Sequence, residues 1–290
     1  MKKRKIDVVV ISDVHLGTYA CHADELLAYL SSINPTTLIL NGDFVDAWHF
    51  GKRYFPPSHL RVIKKIINMA SNGCRIYYLT GNHEDILRKF TGTVVGNFSI
   101  LNKLVLNLNG KQAWFFHGDV FDASIRHSRW LAQFGGYGYR ILLGVNRMVN
   151  WVLLHTGREK YSLSKRVKNK GLHGGKYRRN FERTASELAV ESGYDYVVCG
   201  HLHSPKKLLF ENRHGKCIYL NSGDWVEHLT ALEYSFKRWK VYQYSHDKLS
   251  PFFADEALKE MDINELIANI IDLKTRQQRS KSEDGESVGE

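Results

Sequence analysis

The sequence predicts an α/β fold whose parallel strands carry a site at their carboxyl ends. Three observations predict it. The run Val8-Val9-Val10-Ile11 is continuously apolar and β-branched, the pattern of a strand covered on both faces, as parallel strands are. Apolar or aromatic runs of similar length recur down the chain, as TTLIL, RIYYL, QAWFF and YDYVV. Segments of helical period lie between them. In sheets of this kind ligands gather just beyond the strand carboxyl ends.

The first strand ends in ISDVHLG, which places Asp13 and His15 two apart. On an extended chain such a pair points the same way and can reach one cation. Alone, the pair reads equally as a turn Asp and a surface His. Recurrence decides the matter. After TTLIL comes NGD with Asp43, after RIYYL comes TGNHE with Asn82, His83 and Glu84, after QAWFF comes HGD with His117, and after YDYVV comes CGHLH with His201 and His203. Each tip contains a glycine, which lets the backbone turn sharply so that polar side chains converge.

The helix following the second strand, SHLRVIKKIINMASNG, places Leu60, Ile63, Ile67 and Ala70 on one face, with Ser58 as cap and Gly73 as stop. It reads as packing only. Beyond HGD, residues 123–182 form a long insertion rich in Trp, Tyr, Leu and Arg. Within it Tyr137, Ile141, Leu142, Val145, Met148, Val149 and Val152 recur at helical spacing, with Arg140 and Arg147 among them. A core-facing helix and a lid over the site both fit that pattern; its place directly after HGD favours the lid. DEALKEMDINELIANIIDLKTRQ, within residues 251–279, is a further helical segment, and residues 280–290 form a small, polar, disordered tail.

Asp13, His15, Asp43, Asn82, His117, His201 and His203 offer carboxylate oxygens, one amide oxygen and imidazole nitrogens. That mixture suits Mn²⁺, Fe or Zn²⁺ better than Ca²⁺ or Mg²⁺, which prefer oxygen alone, and better than a Cys-rich structural zinc site. The set exceeds what one ion requires. Two divalent metal ions sharing a bridging carboxylate fit it, and such a pair can hold a phosphoryl oxygen and activate water.

With 290 residues, 43% of them hydrophobic, the chain can bury one large core plus an insertion. Cys21, Cys74, Cys199 and Cys217 show no C-x-x-C spacing and read as reduced, mostly buried residues of a cytosolic protein. The basic start MKKRKID precedes too short an apolar run for a signal peptide, and no run of eighteen apolar residues suggests a membrane span. Forty-one Lys and Arg against thirty Asp and Glu give a net charge of +11, which favours phosphate-rich partners. Much of the excess sits in residues 157–183, where Lys165, Arg166, Lys176, Arg178 and Arg179, with Arg140 and Arg147 upstream, are candidate substrate-binding cations. So apolar an insertion has little use in a nuclease, which disfavours nucleic acid as partner. No protein partner follows from the sequence.

The blocks D-x-H, G-D, G-N-H-[DE], H-G-D and G-H-x-H, in this order across residues 13–203, resemble the calcineurin-like metallophosphoesterase superfamily. The resemblance implies two packed mixed β-sheets flanked by helices over residues 1–250. It assigns Asp13, His15, Asp43 and His203 to one metal and Asp43, Asn82, His117 and His201 to the second. His83 becomes the non-ligand imidazole that contacts substrate and protonates or stabilises the leaving oxygen, and Glu84 can orient it and keep it protonated. Phosphoprotein phosphatases of the superfamily carry Arg after the V-D of the second block; Ala47 stands there, so a protein phosphatase is disfavoured.

ISDVHLGT, GDFVDAW, GNHE, HGDVFD and NSGDWVE together resemble the UDP-2,3-diacylglucosamine diphosphatase group of lipid A synthesis, over about residues 6–245 and closest to the branch with His after the Asn. The implied reaction is water attack on the α-phosphorus of the UDP-sugar, releasing UMP and the diacylated sugar 1-phosphate. The cations and aromatics of the insertion could rest on an anionic leaflet, so a cytoplasmic enzyme peripheral on the inner face of the inner membrane is expected, with Mn²⁺ as the expected metal and Fe or Zn²⁺ as alternatives. Another phospholipid or nucleotide is the alternative substrate class. In a different class, the chain would be a non-catalytic RNA- or membrane-binding homologue, a reading to which the intact ligand set is opposed.

Overall fold

The computed structural model describes residues 3–46, 55–121 and 174–247. Residues 122–173, which hold most of the predicted insertion and its apolar helix, and everything past 247 lie outside the described residues.

β1 (Arg4–Ile11) shows why its sequence is apolar throughout its second half. Val9 and Ile11 face the helices α1 (Ala23–Ser32) and α2 (Pro57–Ser71), meeting Leu26, Leu30, Val62 and Ile66. Val8 and Val10 face the other way, towards a second sheet, and meet Phe115, Val198 and Leu220. The second sheet buries its far face under α3 (Gly174–Glu191), where Phe181, Ala185 and Ala189 pack on Val197, Cys199 and Tyr219. The result is four layers, helix, sheet, sheet, helix, as the two-sided burial of the strands requires.

β1 pairs in parallel with β2 (Ile33–Asn41), β2 with β3 (Arg75–Leu79) and β3 with β5 (Phe98–Leu101). Antiparallel β4 (Val94–Val95) closes one edge; β11 (Thr230–Ser235) and β12 (Arg238–Gln243) close the other, giving the order β12-β11-β1-β2-β3-β5-β4. The second sheet runs β6 (Lys103–Leu108), β7 (Lys111–Phe116), β8 (Tyr196–Cys199), β10 (Gly215–Asn221) and β9 (Lys206–Asn212), with β7, β8 and β10 parallel. The carboxyl ends of β1, β2, β3, β7, β8 and β10 therefore meet at one rim.

Helix α2 forms where the sequence predicts it, but with a different face and start. Its buried side chains are His59, Val62, Lys65, Ile66 and Met69, while Leu60 is 40% exposed. Pro56 stands at the cap position without a side-chain hydrogen bond and Pro57 opens the helix, so Ser58 is no cap. Gly73, at φ +93°, does end it, with its N–H on the Ala70 carbonyl. The expected face followed the bulkiest apolar residues; the core takes the stripe one position earlier because His59 has a task there. Its Nδ1 accepts the Gly17 N–H at 2.9 Å, holding the loop that carries His15. The helix is thus more than packing.

All four cysteines are buried and none forms a disulfide. Burial pushes the Cys74 thiol up to about 11 and raises Cys199 and Cys217 as well, which leaves none of these three suited to nucleophilic work. No helix among the described residues is long and apolar enough to cross a membrane.

Candidate metal centre

The loops after β1 and β2 are zipped together by backbone hydrogen bonds, Asp13 N–H to Gly42 O at 3.1 Å, His15 N–H to Asp43 O at 2.9 Å and Asp46 N–H to Leu16 O at 2.9 Å. Asp13 and His15 converge, but not by the extended-chain geometry their spacing suggests. β1 ends at Ile11, and both residues adopt left-handed backbone, φ +53° and +55°. Asp43, His201 and His203 do the same. Left-handed L-residues are costly, and such strain persists where surrounding contacts dictate it. Two motif glycines show the second device. A Cβ on Gly42 would collide with the His117 imidazole, and one on Gly81 with the Asp43 carboxylate, so the ligands press against bare backbone.

The side chains assemble into overlapping triads whose donor atoms lie within 4.8 Å of one another: Asp13, His15 and His203; His15, Asp43 and His83; Asp43, His117 and His201. Asp43 stands between His15 on one side and His117 with His201 on the other. Asp13 Oδ2 accepts the His201 N–H at 3.0 Å, and its Oδ1 is 3.1 Å from His203 Nε2 yet makes no hydrogen bond. His117 directs Nδ1 at the Asn41 carbonyl, 2.9 Å away. A carbonyl only accepts, so Nδ1 carries the proton and Nε2, 3.4 Å from Asp43 Oδ2, faces the centre.

Electrostatics agree. Burial and the neighbouring His83 lower the His15 pKa to about 4, leaving a neutral ligand. Burial opposes ionisation of Asp13 and Asp43, but the facing imidazoles of His203 and His117 hold both carboxyls below their usual range. Burial would lower His117, yet Asp43 and Asp13 raise it to about 10; a proton held there is what a cation displaces on binding. Asp13 Oδ1, Asn82 Oδ1 and His117 Nε2 are buried without a hydrogen-bond partner. Each such atom costs about 1–3 kcal/mol. Asp13 Oδ1 and His117 Nε2 belong to residues of the triads, an oxygen-and-nitrogen donor set that fits two divalent cations, and Asn82 stands on the GNHE loop, whose His83 N–H binds Asp43 Oδ1.

His83 borders the set, its Nε2 3.8 Å from Asp43 Oδ2 and its ring edge-on to His15 at 4.7 Å. The residue that faces its Nδ1 is Asp46, at 3.5 Å, and not Glu84. Burial would lower the His83 pKa; Asp43, Asp46 and Glu84 together raise it. Glu84 serves the backbone instead. Its Oε2 accepts the N–H groups of Asp43 and Gly81, and its Oε1 accepts the Val45 N–H and the Tyr78 hydroxyl. Burial, with Asp43 close by, pushes its carboxyl up to about 7. It acts on His83 through charge alone.

Of the predicted substrate-binding cations, Arg140, Arg147, Lys165 and Arg166 lie outside the described residues. Lys176, Arg178 and Arg179 fall on α3. Arg178 is half-buried and its charge acts on the Tyr219 phenol; Arg179 is exposed. α3 reaches the centre through Phe181, which meets Phe121 edge-on, lies tilted beside His201 and fills the space beside Gly118.

Several residues of the site receive no role from the motif reading. Asp46 is visible as the second Asp of GDFVD. Arg88 binds the Asp119 carboxylate and the Gly81 carbonyl, tying the GNHE loop to the HGD loop. Ser222-Gly223-Asp224, within the quoted block NSGDWVE, follows β10 just as the other tips follow their strands, so the rule that found the ligand loops extends to it.

Two sheets in four layers, with a carboxylate-imidazole-amide cluster at the strand ends, define a metallophosphoesterase. The chain belongs to the calcineurin-like phosphoesterase family, whose match spans residues 6–205. It is 26% identical over 245 residues to a UDP-2,3-diacylglucosamine hydrolase of Pseudomonas aeruginosa, covering 79% of this chain and 95% of that protein. To the enzyme of the same name from Cellvibrio japonicus it is 24% identical, covering 76% and 91%. Among solved structures it is similar to an archaeal phosphodiesterase, with a TM-score of 0.41 and 14% identity over 81% of this chain and 98% of the other.

Proposed function

We propose that the protein hydrolyses the pyrophosphate of UDP-2,3-diacylglucosamine, yielding UMP and 2,3-diacylglucosamine 1-phosphate for lipid A biosynthesis. The similarity to two enzymes of that name, over nearly all of their length, supports the reading. The observation that carries it is the rim of the centre. Directly after the ligand loops stand Ile86 at 60% exposure, Phe90 at 53% and Val120 at 55%, linked through the Arg88 and Asp119 pair. Exposed apolar side chains on the two elements that follow the ligand loops suit an acylated substrate, each buried CH₂ contributing about 0.8 kcal/mol.

Two divalent ions, Mn²⁺ foremost with Fe or Zn²⁺ equally compatible with the mixed oxygen and nitrogen donors, would supply polarisation of the phosphoryl oxygen and activation of water at neutral pH. The chain does the rest. Asp43 and Asp13 fix the ligand geometry, and His83, kept protonated by Asp43 and Asp46, donates to the leaving oxygen. Handling such a substrate calls for peripheral contact with the anionic cytoplasmic leaflet, which the net charge of +11 favours. The test is turnover of UDP-2,3-diacylglucosamine beside bis(p-nitrophenyl) phosphate with Mn²⁺, and with a chelator as control. Preference for the acylated substrate supports the proposal; hydrolysis of the generic diester alone would leave a phosphodiesterase of another specificity.

A further inference from the structure

The segment Asn221-Ser222-Gly223-Asp224-Trp225, at the end of β10, belongs to no metal triad, yet it is stitched to the loops that do. Ser222 N–H reaches the Cys199 carbonyl at 3.1 Å, Asn221 Nδ2 donates to the Gly200 carbonyl at 2.7 Å, and Trp225 N–H donates to the Asp13 carbonyl at 3.2 Å. Ser222 and Ser12 share a hydroxyl hydrogen bond of 2.7 Å. The segment thus joins the loop of His201 and His203 to that of Asp13 and His15.

Asp224, at its centre, is fully buried. Its Oδ1 accepts the N–H groups of Val226, Glu227 and His228, which fixes the carboxylate without any help from the metal centre. Its Oδ2 is aimed between two imidazoles, 2.6 Å from His228 Nδ1 and 3.8 Å from His203 Nδ1. The His203 ring therefore stands between two carboxylates, with Nε2 towards Asp13 and Nδ1 towards Asp224, and that Nδ1 is buried without a hydrogen bond. A ring nitrogen can bind a cation only if the other one holds the proton, and the group facing that other nitrogen chooses the tautomer.

We propose that Asp224 is a positioning residue for the metal held by Asp13, His15 and His203. It orients the His203 imidazole and holds its proton on Nδ1, so that Nε2 is free to bind. His228 is the counter-group that anchors Asp224 from the solvent side, its side chain being 23% exposed. The inference rests on the dinuclear reading of the site.

The test is Mn²⁺ titration of the full chain by calorimetry, with bound metal counted per chain. Asp224→Asn keeps the shape and the Oδ1 acceptor but loses the charge facing His203. Weakening of one of the two binding steps by about 10–100-fold, with the other unchanged, is expected. Combined with His203→Ala, the Asp224→Asn change should add nothing further, because it acts through that ring; a merely structural role would give additive losses. His228→Gln, which keeps a donor to Asp224, should leave both steps within about threefold of wild type. Should Asp224→Asn not fold, the zinc-loaded wild type decides by NMR: the Nδ1 proton of His203 exchanges slowly with solvent if Asp224 holds it, and fast exchange overturns the assignment. Two unaltered binding steps in Asp224→Asn overturn it too. A wild type that binds no Mn²⁺ would instead sink the dinuclear reading itself.

Discussion

Asp43→Asn probes the one carboxylate that stands in two triads. The side chain is 3% exposed; Oδ1 accepts the His83 N–H at 3.0 Å, and Oδ2 faces His117 Nε2 at 3.4 Å and His83 Nε2 at 3.8 Å. In the variant the amide oxygen takes over the bond to His83 N–H, so the loop persists, while an NH₂ group faces His117. Charge is lost where the proposed pair of ions would share it. Removing one member of a buried charge pair costs about 3–5 kcal/mol. At about 1.4 kcal/mol per decade, that is a loss of about 10²–10⁴ in turnover and in affinity for at least one ion. Bound Mn²⁺ after dialysis should fall from two per chain to one or none, while the metal-free protein still unfolds in one cooperative transition. Two ions retained per chain with turnover within about tenfold of wild type would refute the shared role of Asp43.

His83→Ala should leave metal content near normal and lower turnover by about 10²–10⁴-fold; loss of metal would make it a ligand. Phe181→Ala empties a site 2% exposed between Gly118 and His201, so denaturant unfolding should show a loss of about 3–5 kcal/mol, and an unchanged midpoint would show that α3 does not brace the centre. Burial raises the Asp224 carboxyl, but His228, His203 and the Glu227 N–H outweigh it and hold it well below its usual value. A depressed native pKa contributes stability above the unfolded value of about 3.9, lost as pH falls through and below it. Unfolding of the metal-free wild type and of Asp224→Asn should therefore differ by about 1–3 kcal/mol at pH 7, a gap that starts to narrow below about pH 4 and closes only as the pH falls through the depressed native value. A gap that persists in acid would assign the effect to packing.

The strands were legible because a two-sided buried strand must be apolar throughout, and the candidate ligands because every one of them follows such a strand. What the pattern could not show is how the ligands converge. Asp13 and His15 meet through left-handed turns, not through strand alternation, and no propensity argument puts a β-branched neighbour such as Val14 between two such residues. Glu84 reads as a partner for the adjacent His83, yet its four hydrogen bonds go to residues 78, 81, 43 and 45; adjacency in the chain says little about which way a tightly turned side chain points. α2 misled for a related reason, since a buried His59 and Lys65 are what an apolar stripe is not expected to contain.

The left-handed ligand residues bear on what happens when metal is removed. Five of them at about 1 kcal/mol or more each are a considerable local strain. If ions supplied the compensation, chelation would unfold the rim. The compensation is already present in the protein: the zipper between the first two loops, the four bonds to Glu84, the Asp13 carboxylate on the His201 N–H, and the Asn221 amide on Gly200. Each of these holds without a cation. A chelator should accordingly abolish turnover while far-ultraviolet circular dichroism and a cooperative transition survive. Restoring Mn²⁺ at about 100 times its dissociation constant should add about 2.7 kcal/mol per site, the value set by binding to a preformed native site. A chelated protein that lost its cooperative transition would mean that the ions build these loops, and the account of their strain given by Glu84 and the loop hydrogen bonds would have to be abandoned.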